Sequence, residues 1–168
     1  GGRIANVLLA TAGLAAADTI ELTELELARE LLELAGNKLL LPEDVVLGAE
    51  DGTGVRTVPV SELKVIQEPI WDVGTKTVAA ILERCALAKT VLWNGPVGRF
   101  EVPAYAVGTR QLAQGLAEQT AWRVVGGGDT VVEVERAGLV EKFDHVSVGG
   151  GALVAYLDAL GIVSRPIL

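Results

Sequence analysis

Apolar positions along this chain alternate between a helical period and short continuous runs. From Arg3 an apolar run with helical spacing is stopped by Gly13. Over residues 23–35, Leu25, Leu27, Ala28, Leu31, Leu32 and Leu34 make one broad apolar face closed by Gly36 and Asn37, which predicts a helix with a solvated charged side. Residues 38–42 read as a buried strand ended by Pro42, and 44–48 continue in extended form. Glu50 to Gly54 predicts a hairpin-like turn before an edge segment at 55–60, because Pro59 cannot donate to a ladder. This stretch is an excursion from the main sheet.

After Trp71, Asp72, Val73 and Gly74 the helical period returns over 75–88. A strand at 90–93, a glycine and proline loop at 94–101, a helix at 105–118 and a strand at 122–125 follow. The triple glycine Gly126, Gly127, Gly128 then opens a helix at 130–137. A strand at 145–148 runs into a second triple glycine, Gly149, Gly150, Gly151, and a helix at 152–160. Strands spaced about 25 to 35 residues apart with helices between them predict an α/β fold, a parallel sheet with helices on both faces. The loops at 94–101, 126–130 and 147–151 then open on one edge, where such sheets bind ligands. The pair Gly1, Gly2 at a helix start implies a preceding strand, so the first βα unit is expected to be missing and the chain to be a fragment or processed product.

Composition narrows the partners. At 168 residues, 50% of them hydrophobic, one domain is expected. A formal charge of −8 repels nucleic acid and anionic membrane surfaces, so a phosphate must be held locally. No stretch approaches the ~20 apolar residues of a membrane span, and no basic-then-apolar leader pattern opens the chain. The single cysteine, Cys85, forms no internal disulfide and fits a reducing, cytoplasmic setting.

Strand, side-chain-free turn and helix start at 124–130 offer free backbone N–H groups and the positive end of a helix dipole, to which a phosphate is the natural guest, and the heptad by itself equally fits a tight strand-to-helix turn of any α/β protein. Asp129 is placed to hold Mg²⁺ bridging nucleotide phosphates, and equally to act as an N-cap; Thr130 adds a hydroxyl and an N–H. Glu101 could take ribose hydroxyls or simply be a solvated loop acid. His145, at a strand start, and Cys85, on a helix, read as structural residues. One histidine and one cysteine in unrelated elements make no nucleophilic constellation. Neither glycine cluster matches the Walker phosphate loop or the dinucleotide fingerprint.

The motifs themselves resemble phosphoglycerate kinase, specifically its C-terminal nucleotide-binding domain. They are Gly1-Gly2 with Ala5-Asn6, Leu40-Leu41-Pro42-Glu43-Asp44-Val45-Val46, Asp72-Val73-Gly74-Thr75-Lys76-Thr77, the run Trp93 to Glu101, Val125 to Thr130 and His145 to Ala152. The resemblance covers nearly the whole chain and implies reversible phosphoryl transfer between 1,3-bisphosphoglycerate and ADP, giving 3-phosphoglycerate and ATP with Mg²⁺. It implies that Gly1, Gly2, Leu41, Pro96 and Val97 wall the adenine pocket and that Glu101 holds the ribose. Asn94, Gly127, Gly128 and Thr130 would meet the nucleotide phosphates, Asp129 the metal, and Gly149, Gly150 and Gly151 the group in flight. No general base is needed, since the nucleophile is already ionised at neutral pH.

Four places depart from the family pattern: Val148 replaces a threonine, Thr75 a helix-starting proline and Arg99 a small or apolar residue, and the tail 160–168 lacks the usual ending. The N-terminal domain that binds phosphoglycerate, and an upstream lysine loop, are absent from this sequence. The chain is therefore expected to bind ADP or ATP weakly or not at all when alone, without turnover; a monomer is expected. The alternatives are a noncatalytic nucleotide-binding or scaffold module and a nonfunctional truncated fragment.

Overall fold

The computed structural model describes residues 2–15, 20–66 and 68–160. Helices α1 (Gly2–Thr11) and α2 (Leu22–Ala35) pack on each other through Val7, Leu8, Ala28 and Leu32. Glu21 and Glu24 form a capping box at the start of α2, and Arg3 clamps Glu24 with two bonds of 2.8 and 2.6 Å. The apolar face of α2 is narrower than its sequence predicts. Only the stripe through Leu25, Ala28, Leu32 and Ala35 is covered, and Leu27 and Leu34 are exposed.

Residues 39–43 are not a strand, contrary to the reading of 38–42. Gly36–Lys38 forms a 3₁₀ turn, after which Leu39 and Leu41 turn into the packing around α1. Neither edge of the strand that follows them was left to pair with. Strand β1 (Asp44–Leu47) is already flanked by β2 (Arg56–Pro59) and by β3 (Ile70–Val73), giving an antiparallel sheet of order β2-β1-β3. Pro59 lies on its edge strand, as its missing N–H requires. The third strand had no sequence assignment, because four residues ending at Val73-Gly74 carry no clear alternation.

The second sheet is parallel. Strands β4 (Thr90–Asn94), β5 (Trp122–Gly126) and β6 (His145–Ser147) run in the order β4-β5-β6, with Trp93 opposite Val125 and Val125 opposite Val146. Helices α3 (Thr75–Ala86), α4 (Val107–Ala117) and α5 (Gly128–Arg136) cover one face, burying Val78, Leu112, Leu116, Val131 and Val134 against Trp93 and Val125. On the other face α6 (Gly150–Ala159) meets the sheet where Leu153 lies over Gly126. Leu92 and Trp122 on that face stay exposed. The fold is thus mixed α/β with a parallel three-stranded sheet flanked by helices, and the 44–73 region is the antiparallel excursion. No helix among the described residues is long and apolar enough to cross a membrane.

Candidate functional site

The three glycine-rich loops meet at the carboxyl ends of β4, β5 and β6. Gly95, at φ +99°, turns the chain out of β4, and its N–H donates to Thr130 Oγ1 at 2.9 Å. Gly127, at φ +91°, turns it out of β5, and its N–H donates to the Ser147 carbonyl at 3.0 Å. Asn94 Nδ2 reaches the Gly150 carbonyl at 3.5 Å. Contact is so close that a Cβ on Gly150 would lie 2.7 Å from Asn94 Oδ1 and 2.8 Å from Gly127 Cα. The starts of α5, at Gly128, and of α6, at Gly150, therefore sit side by side with their first N–H groups unused by the helices.

A cleft of about 690 Å³ opens next to this cluster, and Asp129 belongs to both. Gly2, Arg3 and Asn6 of α1 line it, with Trp71 and with Pro96, Arg99 and Glu101 of the loop after β4. Most of its charges are engaged. Arg3 is held by Glu24 and Glu68 by Arg56. Arg99 pairs with Glu50 at 3.2 Å and lies 4.8 Å over the Trp71 ring, which itself stacks on Tyr105. This explains the arginine at 99 as a strap between the loop and the 48–54 turn. Among the described residues, the side chains of Glu101 and Asp129 have no partner.

The expected site residues distribute as follows. Gly2, Pro96, Glu101 and Asp129 line the cleft, whereas Val97 lines a small adjoining recess with Asn6, Pro42 and Asp72. Asn94, Gly127, Thr130 and Gly150 form the glycine cluster, with Gly128, Gly149 and Gly151 exposed at the helix starts. Leu41 packs among the apolar residues around α1, and it is Pro42 that reaches the recess. Thr130 is buried and its hydroxyl accepts from Gly95 N–H, so the hydroxyl expected to meet a phosphate is already engaged. Gly1 lies outside the described residues. His145 is exposed at the start of β6, and Cys85 packs half-buried against the core, where burial pushes its thiol up.

Two residues had no assigned role from sequence. Asn6 is a lone carboxamide within the apolar pattern of α1. Asp72 is buried, accepts the N–H groups of Gly108 and Val73 at 2.8 Å each, and leaves no room for a Cβ on Gly98 or Gly108. Burial raises its carboxyl to about 6 in spite of those two bonds. An acid inside an otherwise apolar strand was the available signal for it. Through Gly98 and Gly108 it pins the cleft loop to the start of α4, and Val97 N–H adds a 3.1 Å bond to Thr109 Oγ1.

The family model described as phosphoglycerate kinase matches residues 1–159. A phosphoglycerate kinase of Rubrobacter xylanophilus is 40% identical over 94% of this chain, and one of an Anaeromyxobacter strain is 43% identical over the same share. In both cases the match covers 41% of the relative, so the chain spans about two fifths of the length of these proteins. The solved structure of phosphoglycerate kinase from Coxiella burnetii superposes with a TM-score of 0.85 at 35% identity, covering 95% of this chain and 43% of that one. With motifs, fold and relatives in agreement, this chain belongs to the phosphoglycerate kinase family.

Proposed function

We propose that the chain supplies the nucleotide-holding half of a phosphoryl transfer between 1,3-bisphosphoglycerate and ADP that yields 3-phosphoglycerate and ATP. The observation that carries this reading is the joining of two helix starts, at Gly128 and Gly150, beside a cleft whose free carboxylates are Glu101 and Asp129. The base lies against Gly2 and Pro96, and Glu101 accepts the ribose hydroxyls. The N–H groups of Gly128, Asp129 and Thr130 take the phosphates, and Asn94 stands beside them. The N–H groups of Gly150 and Gly151, with Gly149 leading into them, face the phosphoryl group as charge shifts between oxygens.

A single carboxylate is the right donor set for Mg²⁺, which keeps most of its water and is completed by nucleotide phosphates. Asp129, which lines the cleft and has no side-chain partner among the described residues, fits that role. When bound, Mg²⁺ neutralises phosphate charge. What this chain adds is position: backbone donors set in advance, with no proton to be moved by a side chain. The phosphoglycerate is taken by the part of the longer relatives that this chain does not match. The same reading makes the protein a glycolytic, cytoplasmic monomer whose turnover requires that other part.

Calorimetric titration with MgADP tests the site. The wild-type chain is expected to bind weakly and Asp129→Ala about tenfold more weakly. Equal binding by both refutes the metal role, and steady ATP formation from 1,3-bisphosphoglycerate by this chain alone refutes the division into halves. A noncatalytic binding module is the second reading, favoured by Val148, an exposed apolar residue beside the second glycine cluster. No ATP formation after Val148→Thr in the presence of the complementary half of a relative would favour it.

A further inference from the structure

The loop that walls the cleft after β4 is anchored at its two ends by different parts of the fold. Its start belongs to the phosphate side, since Gly95 N–H donates to Thr130 Oγ1 in α5 at 2.9 Å. Beyond Pro96, three consecutive residues are held elsewhere. Val97 N–H donates to Thr109 Oγ1 in the first turn of α4 at 3.1 Å, and Arg99 N–H donates to the Trp71 carbonyl in β3 at 2.8 Å. Between them, Gly98 lies so close to Asp72 that a Cβ there would stand 2.2 Å from Asp72 Oδ1.

These residues are clamped between the end of β3 and the start of α4, and one side chain fixes the width of the clamp. Asp72 Oδ2 accepts Gly108 N–H across the gap at 2.8 Å, while Oδ1 accepts Val73 N–H and abuts Gly98. Asp72 is 1% exposed, so an oxygen withdrawn there leaves a buried donor unmet. Pro96 and Glu101 flank the clamped residues and line the cleft. Their distance from the glycine cluster follows from the width that Asp72 sets.

We infer that Asp72 is a positioning residue for the nucleoside end of the ligand: through Gly98 and Gly108 it sets where Pro96 and Glu101 stand, without touching the ligand itself. The inference rests on the nucleotide reading above and adds to it a division of labour. Thr130 holds the phosphate end of the loop, and Asp72 holds the nucleoside end.

The test compares MgADP with inorganic pyrophosphate in the presence of Mg²⁺, which can reach the helix starts at Gly128 and Gly150 but carries neither base nor ribose. Both are titrated by calorimetry into wild type, Asp72→Asn and Asp72→Ala, with helix content followed by circular dichroism. Asparagine sets an N–H donor against one of the two backbone N–H groups, and alanine removes both acceptors. Each variant is expected to lose about tenfold in affinity for MgADP and to hold pyrophosphate within about twofold of wild type. Loss of both ligands together makes Asp72 a support of the whole fold and overturns the positioning role. Unchanged binding of both overturns it as well and leaves the nucleotide site standing. A wild type that binds neither ligand, or binds pyrophosphate as tightly as MgADP, overturns the nucleotide reading and the role of Asp72 with it.

Discussion

Asp44, in β1, caps a helix to which it does not belong: its carboxylate accepts the N–H of Thr77 in α3 at 2.8 Å, and that of Lys76 at 3.1 Å. Thr77 Oγ1 lies 2.8 Å from the same carboxylate and accepts the N–H of Asp44 at 3.0 Å. The residue at the cap position itself is Gly74, which has no side chain to offer and no room for one, since a Cβ there would lie 2.2 Å from the Asp44 carboxyl. One buried acid thereby joins the antiparallel sheet to the helices of the parallel one. Asp44→Ala leaves several buried donors unsatisfied and is expected to cost about 2 to 4 kcal/mol. Urea unfolding of the two proteins checks this, and a difference below about 1 kcal/mol would show that water replaces the carboxylate.

Gly150 and Gly151 are neighbours in sequence and opposite in tolerance. A Cβ on Gly150 meets Gly127 Cα and Asn94, whereas one on Gly151 meets nothing within 4 Å. Gly150→Ala is expected to push the two helix starts apart and weaken MgADP by about tenfold or more, with helix content unchanged by circular dichroism. Gly151→Ala is expected to bind as wild type, since its N–H is unaltered and alanine suits a helix by about 1 kcal/mol better. Equal effects at both positions would mean that the loops need not touch to bind the nucleotide.

Asp72 makes stability depend on pH in the reverse of the usual carboxylate sense. Its pKa is about 6 in the fold against an ordinary 3.8, so the folded state holds its proton more tightly than the unfolded chain. The stability it confers is complete below pH about 4 and is lost as the pH rises through about 6, by up to about 3 kcal/mol. Asp72→Asn does not titrate, and the other groups are common to both proteins. The stability of wild type relative to Asp72→Asn is therefore expected to fall between pH 4 and 7 in urea titrations. A constant difference would place the Asp72 carboxyl near its ordinary pKa.

Helices and the parallel strands were legible along the chain because their signals are local. The apolar spacing of α3, α4 and α5, and the glycines that end β4, β5 and β6, act on neighbours a few residues away. The same locality made the loops at 94–101, 126–130 and 147–151 recognisable as one edge, since parallel strands with helical crossovers leave no other arrangement. Pairing between distant segments was not legible. Whether Leu39 and Leu41 join a ladder depends on which edges of β1 are free, and β3 took the place that a reading of 38–42 left open.

The motif around Gly126 to Thr130 marked a candidate place for phosphate from sequence alone, because a glycine turn into a helix start creates donors wherever it occurs. Which groups remain free to use it was decided by tertiary contacts. Folding engages the Thr130 hydroxyl with Gly95, Arg99 with Glu50 and Arg3 with Glu24, and among the described residues it leaves the side chains of Glu101 and Asp129 unpartnered in the cleft. Sequence determines what each residue can bond to, but only the packed chain determines which bonds are already taken. The chemistry open to a ligand is what those bonds leave.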